Sequence, residues 1–187
     1  MNPKEFITFL NQIEKLKCTY RHSWTSAGRQ ESVAEHSWRL ACMALLCRHE
    51  FENVDINKVI AMCLIHDFGE AVTGDIPAFN KTIQDETEES IAVEKLLSQL
   101  PIIVKDEFSA LFYEMNKNQT KEAKLFHALD KMEALISHNE APLETWIERE
   151  YVDNLEYGQQ AVQFSDWTLA LKEEIKQQSI KKINDES

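Results

Sequence analysis

The stretch Val59-Ile60-Ala61-Met62-Cys63-Leu64-Ile65-His66-Asp67-Phe68-Gly69-Glu70 constrains this chain more than any other. Its first seven residues are apolar on every side, and a helix that is hydrophobic all round belongs in a protein interior. His66 and Asp67 stand at the end of that run. A buried carboxylate without a partner costs several kcal/mol or takes up a proton, so Asp67 must be paired, hydrogen-bonded or bound to a metal. On a helix Glu70 falls at i+4 from His66 and i+3 from Asp67, and so shares their face. Glycine inside a helix is unfavourable by about 1 kcal/mol against Ala. Two of the chain's four glycines, Gly69 and Gly74, nevertheless fall here, which marks a close approach or a turn. The stretch therefore reads as a metal and substrate site at the end of a core helix.

Most of the remaining chain repeats the helical period. Phe6, Phe9, Leu10, Ile13 and Leu16 predict a first helix with one apolar face. Between Tyr20 and Gln30 the period is lost, and Arg21, His22, Trp24, Gly28 and Arg29 predict a loop with unusual chemistry, of the kind that carries function on a rigid scaffold. Ser32-Val33-Ala34-Glu35 fits a capping box, which fixes His36 in the first turn of the next helix, on one stripe with Leu40. Asp55 or Asn57 starts the third helix, and Thr73-Gly74-Asp75-Ile76-Pro77 reads as a helix stop followed by a turn.

From Phe79 to Glu89 the chain is polar and acidic without a strong period, which predicts a solvated connector, with a flap over the site as the alternative. Ile91, Val93, Leu96, Leu97 and Leu100 predict a helix stopped at Pro101, and Phe108, Leu111, Phe112 and Met115 the next, closed by a turn at Asn116-Lys117-Asn118-Gln119. Leu125, Phe126, Leu129, Met132, Leu135 and Ile136 define a strong helix with Asp130 on the shoulder of its buried face. Trp167, Leu171 and Ile175 support a last helix, after which residues 184–187 should fray. His49 and His138, in polar context, read as surface residues, and His127 as structural.

With 187 residues, four glycines and four prolines, these patterns predict an all-α fold in a single domain over residues 1–187. The formal net charge of −12 argues against a nucleic-acid polymer as partner, since phosphate-backbone binders collect Lys and Arg on one face. A small phosphorylated substrate, held by one or two local cations and a metal, is compatible with that charge. Cys18, Cys42, Cys47 and Cys63 form no C-x-x-C pair and read as buried thiols in a reducing cytoplasm. No signal peptide and no membrane-spanning run is expected. A homodimer is expected where an exposed apolar patch lies outside the site.

His36, His66-Asp67 and Asp130 supply two imidazoles and two carboxylates from three helices, which is how bundle cores build metal sites. Adjacent His and Asp lie about 100° apart on a helix, so both reach one ion only near a helix end.

The ordered set His36, His66-Asp67, Asp130 resembles the H…HD…D pattern of the HD-domain superfamily of metal-dependent phosphohydrolases. Arg21, Arg29, the run Glu31 to His36 and the run His66 to Pro77 are more closely similar to its small 5′-deoxynucleotidase branch. The likeness extends from the first helix to past Asp130; beyond about residue 140 none is recognised. It implies an HD-type helical bundle and hydrolysis of nucleoside 5′-monophosphates, with deoxy sugars preferred. It further implies that His36, His66, Asp67 and Asp130 hold one divalent metal. Glu70 would be the general acid or base and Arg21 would orient the phosphate. His22, Asp75 and Pro77 would contact the substrate. His22 stands where this branch often has Trp, so the stacking contact differs here. Mixed nitrogen and oxygen ligands suit Mn, Fe, Co, Ni or Zn better than Mg. The alternatives are a nucleotide phosphodiesterase or pyrophosphohydrolase, a non-catalytic module that binds metal and nucleotide, and a purely structural metal site.

Overall fold

The computed structural model describes residues 1–77 and 80–186. Helix α1 (Pro3–Ile13) opens on an Asn2 cap, whose side chain accepts the Glu5 N–H, with Pro3 in the first turn where its missing N–H does no harm. The segment expected as a loop is instead a hairpin: β1 (Tyr20–Trp24) pairs antiparallel with β2 (Gln30–Ser32), Tyr20 opposite Ser32 and Trp24 opposite Gln30, with an irregularity between. Arg21, His22 and Ser23 face a polar cleft rather than an apolar core, so the alternation that reveals a half-buried strand is missing.

Ser32 caps α2 (Val33–Leu46) in the expected box, accepting from the Glu35 N–H while the Glu35 carboxylate accepts from the Ser32 N–H. Asp55 caps α3 (Ile56–Ile65). Val59, Met62, Cys63 and Ile65 of α3 are buried, but Leu64 is 48% exposed, so this all-apolar helix keeps one edge in water. The chain turns at 66–69 into the single turn α4 (Glu70–Thr73), which Gly74 stops at φ 79°, ψ 167°, a conformation essentially restricted to glycine. A Cβ on Gly69 would fall 2.5 Å from Glu89 Cγ and 3.2 Å from Val93 Cγ2, so the backbone between Asp67 and Glu70 lies directly against α5 (Ile83–Leu97).

That helix corrects the connector reading of 79–89, of which Phe79 lies outside the described residues. A capping box between Thr82 and Asp85 starts α5, and its first half is solvated on most sides, which hides the apolar period. Pro101 precedes α6 (Ile102–Lys117), closed by Asn118 in the left-handed region. Helix α7 (Lys121–Glu140) is the spine, packed against α2, α3, α6 and α9 (Asp166–Glu186). Leu125, Phe126, Leu129, Met132 and Leu135 on α7 are buried, each worth about 1.5–3 kcal/mol. Helix α9 packs on α7, where Ala128, Met132, Leu135, Val162 and Ile175 form a second small core, and α8 (Glu150–Glu156) packs on α9. Helix α9 runs to Glu186, so the fraying expected at 184–186 is not seen, and Ser187 lies outside the described residues.

Candidate active site

The end of α3, the first turn of α2 and the middle of α7 meet at one point. His66 Nε2 lies 3.0 Å from Asp67 Oδ2 and 3.8 Å from Asp130 Oδ1, while His36 Nε2 lies 3.2 Å from Asp130 Oδ1 and 4.0 Å from Asp67 Oδ2. The four groups expected to meet are therefore brought together. Both imidazoles are tethered by the other ring nitrogen: His66 Nδ1 bonds the Cys63 carbonyl at 2.9 Å, and His36 Nδ1 bonds the Glu133 carboxylate. Each ring thus turns Nε2 toward the centre, as metal-binding histidines do when their outer nitrogen donates to an acceptor.

The electrostatics agree. Burial and Arg21 push the His36 imidazolium down, yet Glu133 and Asp130 outweigh both and lift it to about 9. Burial alone would raise the Asp130 carboxyl, but the hydrogen bond from His36 and the charge of His66 hold it far below the ordinary range. Asp67 is lowered against its burial chiefly by His66. Two carboxylates and two imidazoles that crowd together in the metal-free chain must share protons, and a divalent cation among them replaces those protons. The donor set fits a borderline cation with nitrogen and oxygen ligands.

Glu70 begins α4 one turn beyond His66 and is 6% exposed. Its Oε2 has no hydrogen-bond partner among the described residues. Burial first, then Asp67, Asp75 and Glu89, push its carboxyl up to about 10. Asp67, Glu70 and Glu89 offer carboxylate oxygens within 4.8 Å of one another, and Lys81 pairs with Glu89 at the edge of that trio.

Beside this centre a cleft partly open to solvent runs along β1 and α7. Arg21, His22, Asp75 and Pro77, all expected at the substrate, line it. Burial works against the Arg21 charge, and Glu133 and Glu31 more than offset it. Both ion pairs of Arg21, to Glu31 Oε2 at 3.1 Å and Glu133 Oε2 at 3.4 Å, use Nη1. Arg29 is tied to Glu35 and does not line the cleft.

The far wall was not legible. His138, expected at the surface, lines the cleft with its side chain 15% exposed; burial first, then His22 and Arg21, hold it down at about 4. It follows Asp130 and Ala134 at successive i+4 steps, so one face of α7 leads from the His/Asp cluster along the cleft. Glu150, Asn154 and Tyr157 from α8 and its end complete the wall. Glu133 was missed too, although a glutamate three residues after Asp130 in an otherwise apolar stripe was a signal. His127 is structural as expected, bonded to the Met115 carbonyl at 2.9 Å.

Fold and site together define an all-α protein with two histidines and two aspartates gathered where the end of α3, the start of α2 and the middle of α7 meet, beside a cleft. The HD domain family model matches residues 13–171, and the chain belongs to that family. Among curated relatives, the protein named 5′-deoxynucleotidase HDDC2 from Xenopus laevis is 31% identical over 137 residues, 71% of this chain and 67% of that one. Its namesake from Bos taurus is 29% identical over 141 residues, 73% of this chain and 68% of that one. A crystal structure named Predicted metal-dependent phosphohydrolase, from Magnetospirillum magnetotacticum MS-1, superposes with a TM-score of 0.80 at 30% identity, covering 96% of this chain and 93% of that one.

Proposed function

We propose that this protein is a metal-dependent phosphohydrolase that removes phosphate from nucleoside 5′-monophosphates, with deoxyribonucleotides preferred, and that residues 1–187 act as one HD-type domain. The observation that carries this reading is the meeting of His36, His66, Asp67 and Asp130, with Glu70 one turn beyond His66 and with Arg21 lining a cleft nearby. The relatives named 5′-deoxynucleotidase support the substrate class.

In this reading His36, His66, Asp67 and Asp130 hold one divalent cation. That cation supplies a Lewis acid for activating water and polarising a phosphoryl oxygen. Arg21 is held in place by two carboxylates and turns charge-assisted donors to the phosphate. The water oxygen bonds to phosphorus as the bond to the ribose O5′ breaks. Glu70 gives a proton to O5′ and takes one from the attacking water. Asp75, with the turn to Pro77, faces the sugar, and His22 lies beyond it toward the base.

Mixed nitrogen and oxygen donors favour Mn, Co, Fe, Ni or Zn over Mg as the native cation. Two of the four free cysteines, Cys47 and Cys63, are buried, which suits a reducing cytoplasm, although Cys18 is exposed. Among the described residues no helix is long and apolar enough to cross a membrane. Trp38 and Leu45, 66% and 46% exposed, lie two turns apart on one side of α2 and outside the site, which suits a second copy in a homodimer.

The test is a phosphate-release screen of nucleoside monophosphates, diphosphates and cyclic nucleotides against several divalent metals, with Glu70→Gln alongside. Turnover of deoxynucleoside monophosphates that falls in the variant supports the reading. Activity on diesters alone would replace it with the phosphodiesterase alternative, and metal binding without turnover would indicate a regulatory module.

A further inference from the structure

Glu133 is fully buried on α7, and no step of the proposed reaction uses it. Its Oε2 meets two groups from different elements: His36 Nδ1 from α2, in hydrogen-bond contact, and Arg21 Nη1 from β1, at 3.4 Å. Its Oε1 accepts from Arg39 Nε at 2.6 Å and from Ser137 Oγ at 3.1 Å. Four donors thus fix one carboxylate in both position and rotation.

We propose that Glu133 is a positioning residue that aligns the metal-facing ring of His36 and the phosphate-facing guanidinium of Arg21 through one shared carboxylate oxygen. The inference rests on the functional reading above and adds to it a mechanical link between metal and phosphate sites. The His36 ring turns about its χ2 torsion, and a half-turn would replace the inward Nε2 with a carbon. The bond from Nδ1 to Glu133 selects the orientation in which Nε2 faces Asp130. The same oxygen draws Arg21 inward against the pull of Glu31, which sets how far the guanidinium reaches into the cleft. A buried charge cluster is weak support for stability, since apolar replacements of similar volume often fold as well. Alignment of two working groups explains the arrangement better. Arg39 and Ser137 touch only the opposite oxygen and serve to hold the carboxylate still.

The test compares Glu133→Gln and Glu133→Asp with the wild type, with Arg39→Gln as a control that touches the carboxylate but neither His36 nor Arg21. Calorimetric titration of Mn2+ into the metal-free proteins is expected to give about 10–100-fold weaker binding in Glu133→Gln. Glu133→Asp should fall between it and the wild type, and Arg39→Gln should lose less than Glu133→Gln. Inorganic phosphate added to the Mn2+-loaded proteins should also bind more weakly in Glu133→Gln. In an Arg21→Gln background the phosphate loss should disappear while the Mn2+ loss persists.

Circular dichroism and melting temperature establish that each variant is folded, and the Asp variant serves if the Gln variant is not. Wild-type Mn2+ affinity in a folded Glu133 variant would overturn the proposal, as would a phosphate loss of equal size with and without Arg21. Neither binding measurement requires turnover. A wild type that hydrolyses no nucleotide would refute the assigned reaction, and the Mn2+ and phosphate affinities would still decide the role of Glu133.

Discussion

Replacing Glu70 with Gln should stabilise the metal-free protein at alkaline pH. Glu70 is 6% exposed, its Oε2 is unpartnered among the described residues, and Asp67, Asp75 and Glu89 surround it. The folded chain keeps its proton to about 10, against 4.5 for the free side chain. Between those values the unfolded chain releases a proton that the folded chain retains, so rising pH favours unfolding. The contribution is fully present below 4.5 and is lost progressively up to about 10. At about 1.4 kcal/mol per pH unit, the interval from 4.5 to pH 8 amounts to roughly 5 kcal/mol. That is a large part of the roughly 5–15 kcal/mol that stabilises an ordinary domain. Asp75, itself raised chiefly by burial, answers part of the same proton demand. A difference of at least about 2 kcal/mol at pH 8 is therefore expected. Gln keeps the shape and never ionises. Urea unfolding of chelator-treated wild type and Glu70→Gln at half-unit steps from pH 5 to pH 8 reads the difference. The two stability curves should nearly meet at pH 5 and diverge steadily above it. Parallel curves, or a variant less stable at pH 8, would refute the reasoning.

Gly74→Ala should cost about 1–3 kcal/mol in urea unfolding, from backbone strain alone, because no atom lies within 4 Å of the added Cβ. Leu129→Ala, which opens the core beside Asp130, should cost about 2–5 kcal/mol by the same assay. Arg21→Gln should raise the KM for a deoxynucleoside monophosphate more than it lowers kcat, read from steady-state phosphate release.

The candidate metal centre was readable because each of its four members carries a group that an apolar neighbourhood cannot tolerate alone. Gly69 and Gly74 likewise announced what they do, one a close approach to Glu89 and the other a helix stop. The β1–β2 hairpin was hidden because Arg21, His22 and Ser23 point into a polar cleft, where hydrophobic alternation has no use. The start of α5 was hidden by its solvated faces, although Thr82 and Asp85 held the capping signal. His138, Glu150 and Asn154 could not be placed from local context at all. Their burial arises only when α8 closes one side of the cleft, Asn154 meeting His138 from sixteen residues away. Glu133 carried one local signal, its place in an otherwise apolar stripe, but its partners Arg21, His36 and Arg39 are brought to it only by the fold.

The most direct measurement is an anomalous difference map from crystals grown with Zn2+. The account predicts that the strongest peak lies at bonding distance, about 2.0–2.2 Å, from His36 Nε2, His66 Nε2 and a carboxylate oxygen each of Asp67 and Asp130. A strongest peak elsewhere, or one that leaves His36 or Asp130 unbound, would contradict it.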